Sequence, residues 1–186
     1  EYNQYYSLPI FENSEREKIF EFDEEEFFYI ESLKSINSKI SAMLQIAYFK
    51  VKCRFFTLEC NNIIIKNDIS YIINKYFKNK INFKDIIFYD TTILRQRKEI
   101  LKLFNYNENT NFITDINKKS SEIVVIDTTP KYIFQEIWRY CYLNKIILPS
   151  YKDLQLIISK NIINEEKRLM SLLEGELEIE TINNLK

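Results

Sequence analysis

The stretch Ser38–Phe56, SKISAMLQIAYFKVKCRFF, decides what kind of fold this chain makes. Ile40, Met43, Leu44, Ala47 and Val51 recur at the i, i+3, i+4, i+7, i+11 spacing of a helix with one buried face. Lys39 and Lys50, eleven residues apart, return to nearly one angular position on the opposite side. The stretch then closes on cations and aromatics: Lys50, Lys52, Arg54, Phe55 and Phe56. It reads either as a core helix with a solvated edge or as a helix delivered to a polyanion.

Working outward, the same periodicity recurs. Asp23 reads as the cap of a helix to about Lys34, with Glu24, Glu25 and Glu26 in the first turn, where the helix dipole favours negative charge. Ile69, Ile72, Ile73, Tyr76 and Phe77 define another helix behind the cap candidates Asn67 and Asp68, and NNIIIK before it reads as a short strand or a buried turn. DTTILRQRKEILKLFNY (90–106) predicts a helix capped by Thr91 or Thr92, burying Ile93, Ile100, Leu101 and Phe104. Asn105 is suited to end it, since Asn tolerates the left-handed conformation of a helix C-terminus. Arg95, Lys98 and Lys102 project from this helix at i, i+3, i+7 with only Glu99 nearby.

Between Tyr106 and Thr129, EIVVID is a strand by local propensity and a helix by the spacing of Phe112, Ile113, Ile116, Ile123 and Val124. Thr129 and Pro130 open a helix whose Phe134, Ile137, Trp138 and Cys141 are expected to face inward. Pro149 breaks the chain, and Ser150 with Asp153 forms a capping box for a helix to about Leu173, ended by Gly175. One Gly and three Pro disfavour a sandwich or barrel with many tight turns. The expected class is all-α, a multi-helix bundle, with a cut at Lys78–Asn82 giving regions 1–80 and 81–174 and a linker at 175–186.

Composition excludes several chemistries. With no histidine, Ser-His and Cys-His catalysis and His-based metal sites are gone. Cys53, Cys60 and Cys141 form no C-x-x-C pair and read as reduced cytosolic thiols rather than a zinc site. No glycine-rich phosphate loop, nucleophile elbow, membrane span or secretory segment is present. Residue 1 is Glu rather than Met, so a native start ahead of it is expected.

The net charge of −1 hides an asymmetry. Residues 1–36 carry three cations against ten carboxylates (−7), residues 37–105 thirteen against five (+8), and the remainder ten against twelve (−2). A central block this basic is either an electrostatic footprint for nucleic acid or a solvated lysine-rich surface.

Three stretches resemble the N-terminal region of the Tn-three family of replicative transposases. There an early helix reads roughly N-R-L-G-F-A-L-Q-L-C-Y-L-R-Y-P-G-R-F, and SKISAMLQIAYFKVKCRF is similar to it without a gap. Lys39 stands at the first basic position and Ile40, Leu44 and Ile46 at apolar ones. Gln45, Tyr48, Arg54 and Phe55 match directly, and Lys50 stands at the arginine. RQRKEILKLFNY resembles R-x-R-x-x-I-x-x-x-L-G-F through Arg95, Arg97, Ile100 and Phe104, with Asn105 at the glycine. IILPSYKDLQLII (146–158) resembles I-x-L-P-x-Y-x-x-L-x-x-L-I. Ser41 replaces a glycine, Lys52-Cys53 replaces Pro-Gly, and Gln96 stands where histidine is common.

The resemblance implies two helix-turn-helix-like DNA-binding subdomains, 1–80 and 81–174, that recognise the terminal inverted repeats of a transposon as double-stranded DNA. It implies a catalytic core downstream, so no enzyme activity, cofactor, metal or small-molecule substrate for this chain. It further implies a homodimer in the full-length protein and a cytoplasmic, nucleoid-associated location without membrane. The DNA-binding set expected from it is Lys39, Lys50, Lys52, Arg54, Arg95, Arg97, Lys98 and Lys102. Lysines neutralise phosphates and arginines read base edges, while Arg97 reads equally as a core-edge residue with a buried stem. Rival readings are a helical protein-interaction module with an exposed apolar patch, a nuclease built on Asp85, Asp90 and Asp127, and a truncated regulator that competes for DNA ends.

Overall fold

Ten consecutive residues, Ile40 to Phe49, are buried, so the helix that carries them is enclosed on all sides rather than along one face. In the computed structural model, which describes residues 5–78, 81–106 and 112–176 (backbone alone at 176), this helix is α3 (Ile36–Lys52). Before it come α1 (Asn13–Ile19) and α2 (Glu24–Ser32). After it come α4 (Ile63–Phe77), a 3-10 turn (Phe83–Asp85) and α5 (Asp90–Leu103). Then follow α6 (Phe112–Val124), α7 (Pro130–Leu143) and α8 (Tyr151–Glu176). Among the described residues every regular element is helical, and the all-α class holds.

The chain forms two compact units, Glu1–Glu108 and Asn109–Lys186. The division expected at 80/81 is therefore displaced, and α5 belongs with α3. The reason is a buried contact that apolar periodicity does not register. Gln96, 1% exposed, accepts from Ser41 Oγ (2.7 Å) and Gln45 Nε2 (2.8 Å) and donates to the Ser38 carbonyl (2.8 Å). Buried amides left unpaired are costly, so these bonds tie α5 to α3 in one register. Ile93, Ile100 and Leu101 are buried on the same helix, and Phe49 of α3 meets Phe55, Phe104 and Tyr106 at ring-centroid distances of 4.8, 5.7 and 4.8 Å.

Helix ends follow local chemistry in part. Asp23 caps α2 as expected, with a reciprocal box to Glu26. Asn105 adopts φ 55°, and the Tyr106 amide donates to the Leu101 carbonyl at 2.8 Å, closing α5. Cys53, at the position of the resembled glycine, also takes the left-handed conformation (φ 51°) and ends α3. Three expectations fail. Asp68 is no cap, since α4 starts four residues before Asn67 with Asn62 as its cap, and NNIIIK enters its first turn. Thr91 and Thr92 lie inside α5, whose N-cap position is Tyr89. Gly175 lies within α8 rather than ending it.

In the second unit α6, α7 and α8 each pack on the other two. EIVVID resolves as helix through Val124, where Ile123 and Val124 enter the core beside Ile116, while Val125 and Ile126 fall beyond the helix end and stay exposed. Burial in a bundle overrides β propensity here. On α7 the core face is Ile133, Ile137 and Cys141; Trp138, expected inward, is 41% exposed. Half of the capping box expected for α8 is seen: Ser150 Oγ accepts from the Asp153 amide at 3.2 Å, and it donates to the Asp153 carboxylate at 2.6 Å. The loop-like 107–111 and the linker from 177 onward lie outside the described residues.

Candidate nucleic-acid interface

The capping box of α2 turns Glu26 inward until its side chain is 2% exposed, and there it meets Lys50 of α3 at 2.5 Å. Lys50 Nζ also donates to the Glu21 carbonyl (3.1 Å) and lies 5.3 Å from the Phe22 ring centroid. Five residues further along α2, Glu31 holds Lys39 at 2.6 Å. Two ion pairs thus join the acidic start to the basic centre inside the first unit. Lys39 and Lys50 are half-buried partners of α2 and present no free charge to a ligand.

Arg54 and Arg97 are also engaged. Arg54 Nη1 donates to the Tyr5 carbonyl (2.9 Å), and its guanidinium lies 4.4, 4.5 and 5.4 Å from the rings of Tyr5, Tyr6 and Phe56. Arg97 Nη2 donates to the Phe56 carbonyl (2.9 Å), with the guanidinium 5.3 Å from the Phe55 ring. Burial pushes the Arg97 pKa below its ordinary value. Both arginines fasten the segment after α3, which favours the core-edge reading of Arg97 over base contact. Lys102 pairs with Glu99 one turn back (2.9 Å).

Lys52, Arg95 and Lys98 make no hydrogen bond or ion pair within the described residues. Lys52 is half-buried in the last turn of α3, where the helix dipole already favours a cation. Arg95 and Lys98 are exposed one turn apart on α5. Arg95 is near enough to Tyr29 of α2 to pull its phenol pKa down, against burial and Glu99, which together push it up to about 12.

The most deeply buried charge was not among the expected site residues. Asp68, 0% exposed, accepts from Arg16 Nε (2.9 Å) and from the Tyr48 hydroxyl (2.8 Å). The sequence signal for it is a carboxylate four residues before Ile72 on an otherwise apolar helix face, a pattern that also suits a helix cap. Gln96 carried a similar signal, since two departures from the resembled pattern, Ser41 and Gln96, turn out to be hydrogen-bonded to each other.

Tyr48 and Tyr29 carry a pH prediction. Burial, then the Asp68 charge, raises the Tyr48 pKa, and that of Tyr29 is about 12. Both hold their protons in the fold beyond the ordinary phenol value of ~10, so stability falls as pH rises through and above that value. Part of the phenolate absorbance should therefore emerge only together with loss of helical circular dichroism in alkali. Full phenolate development with the helices intact would contradict this.

Among the described residues no group of three or more His, Cys, Asp or Glu side chains could hold a metal ion, and no helix is long and apolar enough to cross a membrane. No curated protein and no solved structure gives a match. One family model, described as Domain of unknown function (DUF4158), matches residues 1–160, which takes in the whole first unit and the second as far as Lys160 of α8, and the chain belongs to that family.

Proposed function

We propose that this chain binds double-stranded DNA, as the end-recognising N-terminal region of a replicative transposase, with no catalytic role of its own. The observation that carries the reading is the pair Arg95 and Lys98, exposed on α5 without a partner among the described residues, whereas Lys39, Lys50, Arg54 and Arg97 are engaged within the fold. In this reading α5 is the reading helix of a helix-turn-helix-like arrangement, held in register on α3 by Gln96. Arg95 offers two parallel donors to a guanine edge, and Lys98 and Lys52 neutralise phosphates. The interface is narrower than the eight residues expected from sequence.

The test is binding of a labelled terminal-repeat duplex against a scrambled one over a salt series. Arg95→Ala is expected to weaken the preference for the repeat by about 5- to 150-fold, the equivalent of ~1–3 kcal/mol for one bidentate contact. Lys98→Ala should weaken both duplexes alike and flatten the salt slope by about one unit. No binding to either duplex at low salt removes the reading.

One observation favours a protein-interaction module instead. In the last turns of α8, Leu169, Met170, Leu172 and Leu173 are all exposed. Exposed apolar clusters of this kind mark partner surfaces, and absence of DNA binding together with self-association would move the assignment there.

A further inference from the structure

α7 turns a particular set of side chains to solvent. Lys131, Gln135, Trp138 and Tyr142, at helical spacing, share one stripe with Arg139 beside it. Trp138 is 41% exposed and Tyr142 52%, although the opposite side of the helix buries Ile133, Ile137 and Cys141 completely. Lys145, just past the helix end, lies 5.6 Å from the Tyr142 ring centroid. The stripe itself contains no carboxylate. The neighbouring Glu136 reaches Arg139 Nη1 only at 4.0 Å, an exposed contact that contributes little and is readily exchanged.

Charge and geometry both restrict the occupant. A partner helix docking on its apolar side would meet Lys131 and Arg139 next to the rings, an unfavourable burial of cations. A polyanion meets them favourably. Ring positions four residues apart are separated by about 6 Å along the helix axis, whereas the bases of a stacked strand rise by ~3.4 Å. Two rings at that spacing accept consecutive bases only from a strand whose stack has opened, and a paired duplex does not offer the base faces. We infer that the exposed face of α7 is a stacking platform for single-stranded nucleic acid, in which Trp138 and Tyr142 receive unpaired bases and Lys131, Arg139 and Lys145 meet the phosphates. This surface lies in the second unit and stands apart from the duplex reading of α5.

Trp138 is the one tryptophan of the chain, so its fluorescence reports on the platform directly. The whole chain is titrated with an oligothymidylate of about 16 nucleotides, the upper end of site sizes for single-strand modules. Saturable quenching that weakens with salt is expected, and Tyr142→Ala should weaken it by about tenfold, as loss of one base–ring stack does. The double variant Lys131→Ala, Arg139→Ala should weaken it and flatten its salt dependence. Trp138→Phe, which keeps a ring, should retain binding by anisotropy of a labelled oligonucleotide. All these side chains are exposed, so helical circular dichroism should match the parent chain.

Absence of quenching, or quenching that Tyr142→Ala and the double variant leave unchanged, overturns the platform. A fully paired hairpin that quenches as tightly as the oligothymidylate overturns its single-strand character. Arg95→Ala serves as the control: it should leave oligothymidylate quenching intact while weakening duplex preference, so the platform and the duplex reading fail separately.

Discussion

Asp68→Ala is expected to lower the free energy of unfolding by about 3–5 kcal/mol, the usual cost of removing one partner from a buried charged pair. Asp68 is 0% exposed, and its two oxygens serve two different helices of the fold, α1 through Arg16 and α3 through Tyr48. Alanine leaves a guanidinium with 15% side-chain exposure and a phenol in a 1% exposed residue without their acceptor. Among the described residues Arg16 then keeps only Asn13 (3.2 Å) as a side-chain partner. A loss of that size is a large part of the ~5–15 kcal/mol that hold a domain folded. Asp68→Asn, which keeps the shape and one acceptor, should lose less.

Urea unfolding followed by circular dichroism measures both variants, and an unchanged midpoint for Asp68→Ala would show that the triad contributes nothing. A pH signature accompanies it. Burial raises the Asp68 pKa above its ordinary value, against the lowering by its bonds to Arg16 and Tyr48. The folded state therefore holds that proton more tightly than the unfolded chain, so this group's contribution to stability falls as pH rises from the ordinary carboxylate value of ~3.9 to the raised one. The variant should lack that part of the slope.

Lys50→Ala separates a structural cation from a DNA contact. Because Lys50 is 24% exposed and Glu26 2%, the expected loss of stability is about 2–3 kcal/mol, below the ~3–5 of a fully buried pair. The stranded group is the Glu26 carboxylate, which retains the amide of Asp23 as a donor. Adding Glu26→Gln removes the stranded charge and should recover part of the loss, so the two substitutions combine non-additively. Denaturation of the two single variants and the double one checks this. A stable Lys50→Ala that binds a duplex less tightly would instead return Lys50 to the interface.

Most of the helices were legible because their signals are local. The Asp23 box, Asn105 at a left-handed position and the Ser150–Asp153 pair each involve residues within three or four positions of one another. The site was less legible. Lys39, Lys50, Lys102, Arg54 and Arg97 look like a basic footprint on a charge map, yet their acceptors include carboxylates on α2 and backbone carbonyls at Tyr5 and Phe56. Lys39 lies eight residues from its acid, Lys50 twenty-four, and Arg97 forty-one from its carbonyl. Of the sequence-derived set, Arg95 and Lys98 remain the exposed cations without a partner among the described residues, with Lys52 half-buried.

Apolar periodicity and capping chemistry by themselves determined that this chain is helical and roughly where its helices run. They act within one turn, and no distant residue is needed to express them. Tertiary structure alone decided that α3 is enclosed rather than amphipathic, that α5 belongs with α3, that Trp138 faces solvent, and which cations stay unpaired. Each of those outcomes depends on a partner brought close by packing, and a hydrogen bond or ion pair exists only at contact distance.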